Sequence, residues 1–533
     1  MGEPRHRWQS RAHRRWFRFC LVCLSAYIAL SACLAHSGFL TNAWATAAAL
    51  LSTLGVGVGC WYALGLACSR LDNAAPKARR ACPRTARRVF WAALLIGLFI
   101  FGAAFAAHYP GGVNYDVSNQ WRQAHSGEFN NWHPVAHTLM IWLAVHVADS
   151  YPFVLACQIL AFSAALAWLT ATLVRHGTPP GWALAAHVVV ALTPVVRNTL
   201  MYVGKDAAMT AGVLVLTAQA VEMLATRGAW LKRLRHAAAF GVTLGFVTLM
   251  RHNAFLWTVP LCLLVLCCYR DARRGAAVGA GAFLALALLV RGPLYGALDI
   301  VYPDNFVEES VGLPMTVLGD IRQREPQALT PEADAFLASL ADEEAWQDTY
   351  VLHQYNSIKF TYDRERIAGL PMTAVWRMAL QSAANAPRVA FEAVVGVTDL
   401  VWGLDGQDEG AQNVGNTGDL PQAQAQNGRL NALGRAVCAF LDEALAWLPL
   451  AYLTRNIGVS LLLLLLVSLW ALYRGGVRTL TLSLPVLLYD LGTMLLLCGQ
   501  DARFFQCSMA ACLPCALALC FDQPQDESLQ IHA

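Results

Sequence analysis

The chain has 533 residues, of which 57% are hydrophobic and only 14% charged, with a formal net charge of +4. Mean hydropathy is +0.43. This composition excludes a soluble globular domain and a nucleic-acid-binding chain. It describes a polytopic membrane protein, because many runs reach the ~20 apolar residues that cross a bilayer. Those runs must be helices, since lipid leaves no other partner for the backbone polar groups.

In chain order, Met1 to Arg18 carries six arginines and leads into an apolar run with no small-residue cleavage site, which reads as an anchor rather than a removable signal. Twelve spans are predicted near 16–36, 42–69, 89–108, 151–174, 182–196, 207–226, 238–253, 254–269, 276–298, 456–473, 479–498 and 504–522. The loop 70–88 sets Arg70, Lys77, Arg79, Arg80, Arg84, Arg87 and Arg88 against Asp72 alone, so the positive-inside rule makes it cytoplasmic. The next polar segment, 109–150, then faces the extracytoplasmic side.

Residues 134–148 are apolar but only fifteen in number. If they crossed the membrane, every later basic loop would face outward. A juxtamembrane helix keeps Arg175, Arg227–Arg235, Arg270–Arg274 and Arg474–Arg478 inside, with both termini cytoplasmic. The expected divisions are an N-terminal transmembrane module over 1–298, an extracytoplasmic domain over 299–455, and C-terminal spans with a short tail over 456–533. The middle segment holds 22 acidic against 10 basic residues, net −12, whereas the remainder is net +16. Within it, Pro331–Tyr350 and Pro371–Val395 read as proline-started helices. Residues 403–428, rich in Gly, Asn, Gln and Asp, read as a mobile loop. Leu430–Leu453 reads as a membrane-lying helix. Fifteen of the sixteen cysteines lie in or beside spans, so no disulfide framework is expected.

Nearly all the chemically interesting residues fall on one side of this topology. Asp116 stands in the island Tyr-Pro-Gly-Gly-Val-Asn-Tyr-Asp after the third span; helix capping is its ordinary alternative role. His133 and Pro134 open the juxtamembrane helix, and His137 lies one turn on. Lys205 and Asp206 stand at the mouth of a span, Arg251 and Asn253 in a tight turn between two spans, and Asp501 and Arg503 before the last one. Asp490 is an ionisable residue inside a span. The grouped cations Lys205, Arg251 and Arg503 suit a phosphate or pyrophosphate headgroup. The carboxylates Asp116 and Asp206 suit a general base or ligands for a divalent metal, Mg or Mn.

The order of these features resembles the GT-C superfamily of integral-membrane glycosyltransferases, in particular bacterial members related to protein mannosyltransferases and aminoarabinose transferases. The features are an acidic first external loop, Trp-His133-Pro134, Lys205-Asp206, a large external domain and Asp-Ala-Arg503-Phe-Phe. The resemblance covers roughly residues 89–300 and 480–520. It implies an all-α GT-C-like fold, a polyprenyl-phosphate sugar donor and a cell-envelope glycan, lipid or protein acceptor. It also implies transfer on the extracytoplasmic face, and direct displacement of the phosphate by the acceptor would invert the anomeric centre. Asp116 matches the family's first-loop acidic position, His133 and Asp206 join it as catalytic candidates, and Lys205 and Arg503 match donor-phosphate contacts, with Arg251 and Asn253 beside them. The chain departs from the family in having a single acid at Asp116, where a pair is common; Glu128 is a distant substitute. A transporter or flippase of envelope precursors is the rival reading, but no internal repeat marks matched halves. A non-catalytic assembly protein is another.

Overall fold

A computed structural model describes residues 11–34, 43–74, 82–303, 307–359, 361–363, 366–367, 370–404, 414–420, 427–445 and 447–521. The first ten residues, part of the basic loop 70–88, most of the loop 403–428 and the C-terminal tail lie outside the described residues. The architecture is all-helical, and each of the twelve predicted spans carries a helix. Among the described residues, eight helices are long and apolar enough to cross a membrane. Four of the expected spans are shorter: Pro180–Leu192, Leu234–Met250, Phe255–Cys268 and Leu480–Met494. Proline accounts for two boundaries, because a Pro cannot continue the hydrogen-bond ladder: Pro194 follows the first of these helices, and Pro293 lies in the irregular end of the neighbouring Arg273–Leu289 segment.

The helix Lys205–Ala225 is the hub. Almost all its residues are buried, and it packs against Tyr151–Arg175, Leu234–Met250 and Gln506–Phe521. At the periphery, Ala43–Ala74 exposes Leu51 and Leu54, and Pro83–His108 exposes Leu95 and Phe99. Long apolar helices with exposed apolar faces belong in lipid, where that exposure carries no penalty. Helix Leu234–Met250 crosses Arg273–Leu289 at backbone distance: a Cβ on Gly241 would lie 2.0 Å from the Gly279 carbonyl oxygen. Small residues make such crossings possible in membranes, where close packing replaces the hydrophobic drive.

Residues 134–148 form the helix Val135–Val147, shorter than the eight helices long enough to cross a membrane. The acidic segment builds a second apolar core from residues such as Met315, Leu337, Trp346, Tyr355 and Val389. Its helices are shorter than predicted. Pro331–Leu340 stops before a π-turn at Ala345–Thr349, and the expected Pro371–Val395 is split into Met372–Asn385 and Pro387–Trp402. Pro387 again sets the break, since it lacks the amide that an uninterrupted helix needs. Likewise Leu430–Leu453 is two helices, Gly428–Ala444 and Leu448–Arg455.

The loop bearing Asp116 is held by backbone and buried side chains. The Gly112 amide donates to the Met201 carbonyl at 2.9 Å, and the Tyr151 hydroxyl donates to the Gly112 carbonyl. Gln158 donates to the carbonyls of Leu200 and Tyr202 and accepts from the Gly204 amide. From the described part of the 403–428 loop, Thr417 and Gly418 donate to the Val113 carbonyl at 2.9 and 3.1 Å. The loop can come this close only with glycine at 111. Its φ is +130°, and a Cβ there would lie 2.5 Å from Leu155 Cδ2 and 2.7 Å from Tyr151 Cε1. Gly111→Ala should therefore cost about 1–3 kcal/mol, the usual price of overpacking. It should lower the melting temperature of the detergent-solubilised chain. Melting unchanged from wild type would show that this contact does not hold the loop.

Candidate active site

Asp116 lies in the first turn of the helix Tyr115–Ser126, but it is not the cap. Asn114 caps the helix, its side chain accepting from the Val117 amide at 3.0 Å. This frees the Asp116 carboxylate from the backbone. It meets two cations instead: Lys205 Nζ at 3.1 Å and Arg503 Nη1 at 3.3 Å, both on Oδ2. Lys205 also contacts His133 Nδ1 at 2.9 Å, and His133 Nε2 lies 3.9 Å from Asp116 Oδ1. Four helix ends converge here. Asp116 follows Pro83–His108, Lys205 starts its own helix, Arg251 ends Leu234–Met250, and Arg503 precedes Gln506–Phe521.

A second ion pair abuts the first. Arg251 Nη1 donates to Asp206 Oδ1 at 2.8 Å and to the Tyr489 hydroxyl at 2.8 Å, both residues being nearly enclosed. Arg503 Nε lies 2.7 Å from Asp501 Oδ2. The Arg251 and Arg503 guanidiniums both lie over the Phe504 ring, 4.7 and 5.0 Å from its centroid. The ring's quadrupole attracts both. Adjacent Lys205 and Asp206 point to different partners, as neighbouring helical residues must.

These groups border a cavity of about 660 Å³. Asp116, His133, Lys205, Arg251, Asn253 and Arg503 all line it, so the structure brings together six of the seven residues singled out from sequence. Asp206 lines a small adjoining pocket with Asp116, Lys205 and Arg503. Asn253 extends toward the Thr493 hydroxyl at 3.4 Å. His137 does not join: it is buried behind the site, its Nδ1 3.1 Å from Gln120 Oε1. It also does not share a helical face with His133, which precedes the helix start at Val135. Glu128 is exposed away from the cavity. Asp490 is buried in its helix, accepting from Ser508.

Sequence reading missed the opposite wall. Glu309 and Lys359 are ion-paired there, beside Ser310 and Asn356, and all four line the cavity. A signal was present, since Lys359 is the one lysine in the acidic segment 299–455. The second carboxylate of the cavity thus comes from the domain rather than from the Asp116 loop. Phe255, Leu256, Leu496 and Phe504 supply an apolar side, and Phe255 and Leu256 are also exposed at the surface of the bundle.

Burial works against an ionised Asp116, but the Lys205 ammonium and the Arg503 guanidinium outweigh it and hold its carboxyl well below the usual carboxylate range. Because the folded value is depressed, the stability from this pairing is fully present above the ordinary aspartate pKa of about 3.9. It is lost only as pH falls through the depressed value. Burial and the Lys205 ammonium also push the His133 pKa down, to about 3, so its imidazole is neutral near pH 7. The donor set does not fit a divalent metal. Asp116 and Asp206 each face a cation, and among the described residues no three His, Cys, Asp or Glu side chains converge.

No protein-family model matches the chain, and no curated protein does. Among solved structures it aligns with the arabinosyltransferase EmbB from Mycobacterium smegmatis at 14% identity and a TM-score of 0.32. The alignment covers 83% of this chain and 45% of that one, so the chain spans less than half the length of that protein.

Arg251→Met should destabilise the protein by about 3–5 kcal/mol, because it strands the Asp206 charge where little water reaches. Adding Asp206→Asn should restore a large part of that loss in thermal unfolding. Strict additivity of the two substitutions would show that the pair is not coupled.

Proposed function

We propose that this protein is a membrane glycosyltransferase of the GT-C type. It moves a sugar from a polyprenyl-phosphate donor to a hydroxyl of a cell-envelope acceptor on the extracytoplasmic face, with both termini in the cytoplasm. The observation that carries the reading is that Lys205 and Arg503 meet on Asp116, with Arg251 beside them, along a 660 Å³ cavity with an apolar side. Three cations at the end of a membrane bundle suit the phosphate of a lipid-linked donor. The apolar side, open at Phe255 and Leu256, suits its hydrocarbon chain.

The chemistry then follows. A sugar phosphate already carries a good leaving group, so no strong general acid is required. Lys205 and Arg503 hold the leaving phosphate and stabilise the charge it gains, in an enclosure where such interactions outweigh their value in water. Asp116, kept ionised by those same cations, takes the proton of the attacking hydroxyl. Direct displacement from the face opposite the phosphate inverts the anomeric centre. Asp206 serves by holding Arg251 in place, and no step is routed through a metal.

Asp116→Asn in membranes supplied with a polyprenyl-phosphate sugar should cut transfer by about 10²–10⁴-fold, the range for a general base. Donor binding should be retained. Transfer at the wild-type rate would remove Asp116 from the chemistry. The pH profile gives a second check. With Lys205 and Arg503 present, activity should show no acid limb near the ordinary aspartate range. In Lys205→Met, Asp116 loses a cation, its pKa rises, and an acid limb should appear at higher pH. A limb that stays in place would separate Asp116 ionisation from the rate.

A further inference from the structure

The two oxygens of Asp116 have different surroundings. Oδ2 takes both cations, at 3.1 and 3.3 Å. Oδ1 faces His133 Nε2 at 3.9 Å, too far for a hydrogen bond. His133 is 4% exposed, and its Nε2 has no hydrogen-bond partner, although the residue borders the cavity. An unpaired nitrogen in such a place carries a desolvation penalty unless a ligand meets it.

Its protonation state follows from its other nitrogen. Nδ1 lies 2.9 Å from the Lys205 nitrogen. An ammonium has three donors and no acceptor, so Nδ1 must accept and the single proton of the neutral ring must reside on Nε2. The charged and titratable groups around the ring are Lys205, Asp116, Arg503 and His252, and all but Asp116 disfavour a second proton. Nε2–H is thus a donor, and Oδ1 opposite it is an acceptor. An oxygen about 2.8 Å from each would satisfy both groups; Nε2 itself is enclosed, so that oxygen enters with a small shift of the side chains around it. A hydroxyl, which both donates and accepts, fits that pair; a carbonyl or ether oxygen satisfies only half of it.

We propose that His133, locked by Lys205 as the Nε2–H tautomer, forms with Asp116 Oδ1 the seat of the acceptor hydroxyl, and that it hydrogen-bonds the attacking oxygen. This rests on the transferase reading of the site. In the step, the hydroxyl proton passes to Asp116 Oδ1 and the oxygen bonds the anomeric carbon. The bond from that carbon to the phosphate oxygen breaks, its electron pair leaving on the phosphate held by Lys205 and Arg503. The His133 proton stays on Nε2 throughout and favours the oxygen as it gains negative character.

Two substitutions separate this role from simple support of Lys205. Gln places an amide nitrogen near the position of Nε2, whereas Asn places its amide near Nδ1. His133→Gln should keep most of the transfer rate, and His133→Asn should lose about 10²-fold in kcat, the scale for removing a preorganised donor. KM for the donor should barely change in either. If His133 only supports Lys205, the order reverses, since Asn can still accept from the ammonium. Asn outperforming Gln would overturn the proposal. A readout free of activity is ¹⁵N NMR of the histidine ring in the full chain in lipid nanodiscs. It should show protonated Nε2 and unprotonated Nδ1 in wild type, with that preference lost in Lys205→Met. A protonated Nδ1 in wild type would also overturn it, even if both His133 variants fail to fold. A wild-type protein that transfers no sugar but shows the expected tautomer would refute the transferase reading and leave the tautomer lock intact.

Discussion

The Lys205 ammonium is the contact on which the site depends. It reaches Asp116 at 3.1 Å and His133 at 2.9 Å, and it starts the most deeply buried helix of the bundle. One cation therefore joins the loop after the third helix, the entry of the juxtamembrane helix and the central helix. It keeps a carboxylate ionised and sets which nitrogen of an imidazole carries the proton. The task needs a cation with several donors and no acceptor, which the ammonium supplies.

Such a concentration of charge beside an apolar slab is stable only if each member is paired. The pairs are Lys205 and Arg503 with Asp116, Arg503 with Asp501, and Arg251 with Asp206. Three cations meet three carboxylates, so the cluster is near neutral before a ligand arrives. An incoming phosphate has to share cations already engaged, and this favours a bound state in which contacts are redistributed. Phe504 limits that redistribution, since both arginines lie over its ring.

The acidic segment completes the enclosure. Its Glu309 and Lys359 line the same cavity as Asp116, while Thr417 and Gly418 tie a distant part of the chain to Val113. The membrane bundle supplies cations and the apolar side; the opposite wall supplies a carboxylate and polar groups of different chemistry.

Much of this was legible in the chain itself. Hydropathy located every helix among the described residues that is long enough to cross a membrane, because that signal is local and additive along the sequence. The residue types of the site, Asp116, Lys205, Arg251 and Arg503, stood out because polar side chains at apolar boundaries are costly without a purpose. Helix breaks at Pro387 and the cap at Asn114 were written in the sequence too, but competing patterns hid them: apolar periodicity ran through the proline, and Asp116 was as good a cap by type. Partner choice was not legible at all. That Asp206 serves Arg251 rather than its neighbour Lys205, that His133 meets Lys205 rather than His137, and that the second carboxylate is Glu309 rather than Glu128 depend on distances between helices far apart in sequence. Only tertiary packing decides those distances, because electrostatic pairing falls off within a few ångströms and carries no mark in the one-dimensional order of residues.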